Sequence, residues 1–444
     1  MNNELKQFLD EKRFVEFMKA MDTMNAVDAA EFIATVEAEE RPIVFRMLKK
    51  DTAAAIFAEL DSDVQEQVIG GISEAEIAKI MEHLAVDDTV DMLEELPANM
   101  VRRILRNTPP HLRGEINRYL KYSEDSVGSI MTPELISIYS DWTVERSVEY
   151  IRKTGIDKET VYVIYVTDAS KILIGIIELK DLLFASPSDK ISELMNTSVI
   201  VASTTDDKES AAATISKYDL LALPVVDSEN RLVGIVTIDD AVDVIYEEAT
   251  EDIEKMAAIT PTDKPYLKTG VFATWRKRIP WLLLLMVSAT FTGTIITHYE
   301  QALGQMVILT AFIPMLMDSG GNAGGQASVT IIRGLSLGEL RMGNIFTILW
   351  KEFRVSLLCG ITLAVTVFAK AILIDQASYG VAATVSLTLL ATIVIAKLVG
   401  CSLPILAKRV GFDPAVMASP FITTIVDAVA LWIYFLIAGA ILGV

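Results

Sequence analysis

The sequence predicts a multi-domain membrane protein: an α-helical superhelical N-terminal domain, tandem α/β domains, a connecting helix and a five-helix transmembrane domain. Three observations carry that expectation: an acidic front against an apolar back, an internal repeat, and a terminal series of long apolar segments. The 444 residues suffice for about two or three domains, and their net charge is −20. Residues 279–444 contain 8 Lys+Arg and 7 Asp+Glu, and the first 278 residues hold the other 31 and 52. Such an acidic front argues against nucleic acid, whose phosphates need Lys and Arg. It suits cations.

The first ten residues are polar and lack the apolar run of a signal peptide, so a cytoplasmic N-terminus is expected. Cys359 and Cys401 lie in separate apolar stretches, which favours packing over a disulfide or metal site. His83, His111 and His298 are scattered without zinc-ligand spacing.

Residues 1–125 read as an acidic domain of successive short helices. Val90, Leu93 and Leu96, then Val101, Ile104 and Leu105, recur at helical spacing, and Pro97, Pro109 and Pro110 punctuate the series. Taken alone, such an array also suits a scaffolding module.

Residues 126–185 and 186–247 repeat one pattern. Each copy gives a β-rich run, an amphipathic helix, two strands around a turn, and a helix after G-I-[IV]-x-x-x-D. Gly175 matches Gly234, and Asp181 matches Asp240. The repeat resembles a tandem pair of CBS domains, a regulatory module that often binds adenine nucleotides. The resemblance implies ATP or another adenine nucleotide at the second copy, where Thr237 and Asp240 match the ribose-contacting pair; Glu178 replaces that Thr in the first. Residues 248–278 are expected to form a connecting helix, acidic at its front and basic at its end.

Five apolar segments follow, near 280–298, 303–333, 353–374, 381–406 and 415–443. About 20 helical residues cross the hydrocarbon core, so each is long enough. Arg276, Lys277 and Arg278 precede the first. Arg333, Arg341, Lys351 and Arg354 lie between the second and third, and Lys408 and Arg409 between the fourth and fifth. The loops around Tyr299–Gln301 and Asp375–Tyr379 have no Lys or Arg. The positive-inside rule then places the N-terminus inside and the C-terminus outside a plasma membrane.

Two features inside the spans do not belong on lipid-facing helices. Asp427 sits in the last apolar run, where a central carboxylate costs about 2.5–3.5 kcal/mol on insertion scales. A cation moving along a pore would offset that cost; a neighbouring base would do the same, and Lys397 is the obvious one. Thr423 and Thr424 precede Asp427 by one turn. The second segment contains "PMLMDSGGNAGGQAS", with Asp318, Asn322 and Gln326 among glycines. This stretch is expected to interrupt the span and line a water-filled cavity, although glycines also let helices pack closely. Exposed carbonyls, Asp318 and Asn322 would offer the oxygen ligands that hard divalent ions prefer. Mg²⁺ keeps much of its water, and two copies of Asp427 across a two-fold axis would match its charge. A homodimer is therefore expected.

"PMLMDSGGNAGGQAS", "IIRGL", "LVGCSLP" and "GFDPAVMASPFITTIVDA", with the CBS pair, resemble the MgtE family of Mg²⁺ channels. The resemblance implies a homodimer of five-span subunits with the pore between second and fifth spans. It implies Asp427 as the ion-selecting acid, helped by backbone oxygens near Gly321, Ser419 and Thr423. Asp318, Gly325, Ser419 and Lys397 depart from residues found in some relatives, so the choice among Mg²⁺, Co²⁺ and Mn²⁺ stays open.

The soluble acids cluster. Asp87, Asp88 and Asp91 share one helix start, and Asp240, Asp243, Glu247 and Glu251 fall on one helical face leading to the pore. Without metal these faces would repel; bound Mg²⁺ would bridge them and close the gate. Two unit charges at about 4 Å interact by about 4 kcal/mol near a protein surface, against about 5.5 kcal/mol for a full two-state shift. The family resemblance implies Asp87, Asp91, Asp207, Glu209, Asp219, Asp240, Asp243, Glu248, Glu251, Asp252 and Asp413 as regulatory metal residues. Rival readings are an H⁺- or Na⁺-coupled divalent cation transporter, an anion channel or enzyme with CBS domains, and a metal-sensing receptor. The sequence has no GxxxxGK phosphate loop and no nucleophile–base constellation, so an enzyme is not expected.

Overall fold

Short helices open the chain because its apolar residues come in small groups at helical spacing, separated by breakers. The computed structural model describes residues 2–443 apart from 263–265, 268, 301–303, 305, 341 and 418. It divides into two compact units, Met1–Ile245 and Tyr246–Val444.

The first unit begins with ten helices, α1 (Asn2–Asp10) to α10 (Pro110–Tyr119), none longer than 10 residues. Helices this short are marginal alone and depend on packing. Helices two apart in sequence lie side by side: α3 (Ala26–Thr35) on α5 (Lys50–Ala58), α5 on α7 (Glu74–Met81), and α7 on α9 (Ala98–Asn107). Phe17 meets Phe32 at 6.0 Å and Phe45 meets Phe57 at 5.8 Å, ring to ring, in a core where all four are buried. Ser73 and Glu76 form a reciprocal capping box that fixes the start of α7.

Each repeat forms a three-stranded sheet. In the first, β1 (Ser137–Tyr139) runs parallel to β2 (Val163–Thr167), which pairs antiparallel with β3 (Leu173–Glu178). The second copies this with β4 (Ala202–Ser203), β5 (Ala222–Val226) and β6 (Leu232–Thr237), including a register shift at the equivalent place. Helices α11 (Val144–Thr154), α12 (Leu179–Phe184), α13 (Ile191–Leu194), α14 (Lys208–Tyr218) and α15 (Ile238–Met256) complete the pair. The copies exchange their leading segments. Thr132 bridges to Ile235, and Asn196 bridges to Ile176. Gly234 and Gly175 permit this crossing: a Cβ on Gly234 would meet Met131 Sδ at 2.9 Å, and one on Gly175 would meet Met195 Sδ at 2.8 Å.

The second unit corrects the expected connecting helix over 248–278. α15 ends at Met256, and the next helix, α16 (Val271–His298), starts at Val271. Pro261 lies between them and lacks the amide that a continuing helix needs. The remaining helices are α17 (Ile308–Ser336), α18 (Ile345–Leu373), α19 (Tyr379–Val410) and α20 (Ser419–Leu442). Among the described residues, four stretches are long and apolar enough to cross a membrane: Val271–His298, Ile345–Leu373, Tyr379–Val410 and Pro414–Leu442. The expected second span is the exception. α17 has the length, at 29 residues, but its polar residues keep it from the apolarity of the others. It is also unbroken, contrary to expectation, because its glycines serve packing against α19 and α20. Gln301 and Arg341, which belong to the loops between the expected spans, lie outside the described residues.

Candidate cation pathway and acidic regulatory sites

α17 presents two chemically different faces. On one, a Cβ on Gly320 would meet Thr392 Cγ2 at 2.7 Å and Val426 Cγ1 at 2.8 Å. A Cβ on Gly321 would meet Thr423 Cγ2 at 2.8 Å, and one on Gly324 would meet Ile422 Cγ2 at 2.6 Å. Small residues therefore let α17 approach α19 and α20 closely. On the other, Asp318, Asn322, Gln326 and Thr330 recur every fourth residue and are all exposed. Asn322, Gly325, Gln326, Val329 and Thr330 line an open concavity there. Gly321, expected to offer a backbone oxygen, lies within the intact helix, and side-chain oxygens line its exposed face.

Asp427 is half-buried on α20, and Asp318 is the carboxylate within electrostatic reach of it. Among the described residues no cation pairs with Asp427. Lys397, the obvious intramembrane base, lies 3.9 Å from Glu352 instead. The Thr423 and Thr424 hydroxyls both donate to the Pro420 carbonyl, at 2.9 and 3.1 Å, and so secure the first turn of α20. Ser419 begins α20, but its side chain lies outside the described residues.

In the first unit, α8 (Val86–Glu95) gathers Asp87, Asp88 and Asp91 opposite Glu159, Asp239 and Asp240. Withdrawal from bulk water, then repulsion from Asp87 and other acids, pushes Asp88 up to about 7. Asp91 rises to about 7 for the same reasons, first desolvation and then Asp87 and Asp88. Both residues are nonetheless exposed, so the crowding comes from the acids and backbone on their inner side. Desolvation also leads in lifting Glu159 and Asp240 to about 6, and in raising Asp87. Asp87 Oδ1 is buried with no hydrogen-bond partner among the described residues. Yet no group of three His, Cys, Asp or Glu among the described residues is close enough to hold a metal ion. The acids form a like-charge cluster, not a finished coordination shell.

Several predicted regulatory residues have structural roles. Asp207 caps α14 by accepting from the Glu209 and Ser210 amides at 2.8 and 3.2 Å, which also places Glu209 in that first turn. Asp219 ends α14 in the left-handed region, with φ of 51°. Asp243 is exposed on α15. Asp240 accepts from the Thr237 hydroxyl at the start of α15, so the two nucleotide-matching residues are joined to each other.

In the second unit, Lys255 Nζ lies 2.6 Å from Glu251 and 2.7 Å from Asp413. Burial opposes its charge, but those carboxylates outweigh it and raise the Lys255 pKa. Asp413 also accepts from the Ala415 amide at 2.7 Å, and Asp252 accepts from the Ser336 hydroxyl at 3.1 Å. Glu248 is half-buried on α15. Sequence reasoning missed Glu159, Lys255, Ser336 and Glu352. The Glu251–Lys255 spacing of four was a readable signal; Glu159 and Glu352 carry none.

Helical array, CBS pair and apolar helical bundle together define a multi-pass membrane protein with an appended helical domain and an α/β pair. The family profile described as divalent cation transporter, MgtE, matches residues 313–437. The MgtE intracellular N domain matches 24–125, and CBS domains match 127–188 and 191–247. The chain is 34% identical over 442 residues to the magnesium transporter MgtE of Thermus thermophilus, covering 99% of this chain and 98% of the relative. It is 33% identical over 429 residues to that of Bacillus subtilis, covering 96% and 94%. The chain belongs to the MgtE family. Among solved structures, it resembles the cytosolic domain of the Mg²⁺ channel MgtE in complex with ATP, at 33% identity and a TM-score of 0.52 over 55% of this chain and 100% of that one. The soluble part of a magnesium transporter aligns at 29% identity and a TM-score of 0.53, over 56% and 98%.

Proposed function

We propose that the chain carries Mg²⁺ across the plasma membrane as a homodimer, with Asp427 holding the hydrated ion. The observation that carries this reading is that Asp427 pairs with no cation among the described residues: its candidate base, Lys397, is taken by Glu352. The relatives' named activity, magnesium transport, supports the choice of ion.

α17 serves as a fifth span, packed by its glycines within the bundle. Its exposed polar face, Asp318, Asn322, Gln326 and Thr330, cannot face lipid without cost. A second subunit across a two-fold axis would enclose that face and bring two Asp427 side chains toward one path. Backbone oxygens near Ser419 and Thr423 at the start of α20 complete the candidate ligands. Five spans put the soluble domains in the cytoplasm and the C-terminus outside.

Intracellular Mg²⁺ closes the path in this account. It would offset the desolvation, and then the repulsion, that raise Asp88, Asp91 and Asp240, and Asp87 Oδ1, without a hydrogen-bond partner among the described residues, offers it a ligand. Asp207, Glu209, Asp219, Asp243, Glu248, Glu251, Asp252 and Asp413 are the further acids proposed to take part. ATP or a related adenine nucleotide would bind at Thr237 and Asp240, as the ATP-bound relative suggests. The test is Mg²⁺ flux in liposomes under separate Mg²⁺ and pH gradients, with Co²⁺ and Mn²⁺ as competitors. Flux set by the Mg²⁺ gradient and suppressed by Mg²⁺ on the cytoplasmic side supports this reading; flux that follows the proton gradient rejects the channel.

A further inference from the structure

Glu352 and Lys397 form a charge pair between α18 and α19. Lys397 Nζ and Glu352 Oε2 are 3.9 Å apart, with the side chains 8% and 13% exposed. That separation suits an ion pair and is too long for a hydrogen bond. Glu352 Oε2 accordingly has no hydrogen-bond partner among the described residues. A buried pair of this geometry recovers little of its desolvation cost, so stability does not explain it.

Its position does. Ala396, next to Lys397, places its carbonyl oxygen 3.1 Å from where a Cβ on Gly324 would stand. Gly400, which shares a face of α19 with Lys397, meets the Gly324 backbone. Gly324 also packs on Ile422, a little over one turn of α20 before Asp427. The pair therefore stands one helix behind α17, a little over one helical turn along the bundle from the pathway acid.

We propose that Glu352 and Lys397 set the electrostatic field at Asp427, with Glu352 cancelling the Lys397 charge so that the path feels the acid alone. This rests on the pathway reading above and deepens it. In a poorly screened interior an uncancelled unit charge acts on a divalent ion with twice the energy it has for a monovalent one. The pair is thus a determinant of divalent affinity acting through space, without touching the ion.

The test measures initial Mg²⁺ uptake against Mg²⁺ concentration for the full-length protein in liposomes, comparing wild type, Glu352→Gln, Lys397→Gln and the double variant. Glu352→Gln should raise the half-saturating concentration by about three- to tenfold, the size expected of one nearby unit charge. Lys397→Gln should lower it by a similar factor, and the double variant should return close to wild type. A pair that serves packing alone would move both single variants in the same direction. That outcome, or no shift in either, overturns the proposal. Should Glu352→Gln fail to fold by gel filtration, the sign of Lys397→Gln decides: a lower half-saturation supports the proposal, and a higher or unchanged one overturns it. Asp427→Ala, measured alongside, separates the two levels. If it abolishes uptake while the pair variants shift together, the pair proposal fails and the pathway reading stands; if uptake survives, both fail.

Discussion

Gly400 of α19 lies directly on Gly324 of α17: a Cβ at position 400 would run into the Gly324 carbonyl oxygen. The obstacle is backbone, which cannot swing aside as a side chain can. The closeness of these helices holds the polar face of α17 in one orientation, away from the packed interior.

Gly400→Ala should therefore destabilise the membrane domain by about 1–3 kcal/mol, the usual range for overpacking. Gly293→Ala is the contrast, because open space surrounds that position on α16. Its melting temperature in detergent should match or slightly exceed wild type, while that of Gly400→Ala falls. Equal behaviour of the two variants would refute the tight α17–α19 approach.

The acid cluster on α8 makes a pH prediction whose sign follows from the raised values. Asp88 and Asp91 go from 3.8 to about 7 on folding, so between those values the folded state binds more protons. Stability without metal must then fall as pH rises from about 4 to about 7. Hydrogen exchange at α8, corrected for intrinsic rate, should be faster near pH 8 than near pH 5 in chelator. Added Mg²⁺ should erase the difference by taking the protons' place, and Asp88→Asn should reduce it. Exchange independent of pH in chelator would mean that folding does not raise these carboxylates.

Lys255 makes a prediction about the end of α15. Its bonds to Glu251 and Asp413 involve side chains 23–36% exposed, so each is worth about 1 kcal/mol or less. Lys255→Met should still speed protease cleavage just beyond Met256, with Mg²⁺ restoring part of the protection by bridging the freed carboxylates. Cleavage unchanged by the substitution would show that the ammonium does not tether this helix end.

Nucleotide binding should depend on the second repeat alone. Thr237→Ala is expected to weaken ATP binding by about three- to tenfold, the worth of one hydrogen bond. Glu178→Ala, in the first repeat, should leave it unchanged. Isothermal titration with the full-length protein reads both, and equal effects would place the nucleotide elsewhere.

The repeat was legible because one glycine in each copy carries a backbone demand. Gly175 and Gly234 stood out as a match, and each admits a methionine-bearing segment across its strand. That the segments come from opposite copies was not legible, since exchange leaves no mark in either sequence copy. The helical array and most spans were legible from periodicity and apolar length. α17 misled because glycine has two meanings in a membrane: broken backbone and close packing. Which one holds depends on Thr392, Ala396, Ile422 and Thr423, all distant in sequence. The break after Met256 has a local mark in Pro261, which the expectation of one connecting helix over 248–278 does not take into account. Glu352 was invisible as a partner of Lys397, because a pair 45 residues apart across two helices has no local pattern.

The most direct measurement is Mg²⁺ uptake by liposomes holding Asp427→Ala or Asp427→Glu, each verified as folded by gel filtration. The account predicts uptake at the level of empty vesicles for Asp427→Ala and partial uptake for Asp427→Glu. Wild-type uptake by folded Asp427→Ala would contradict it.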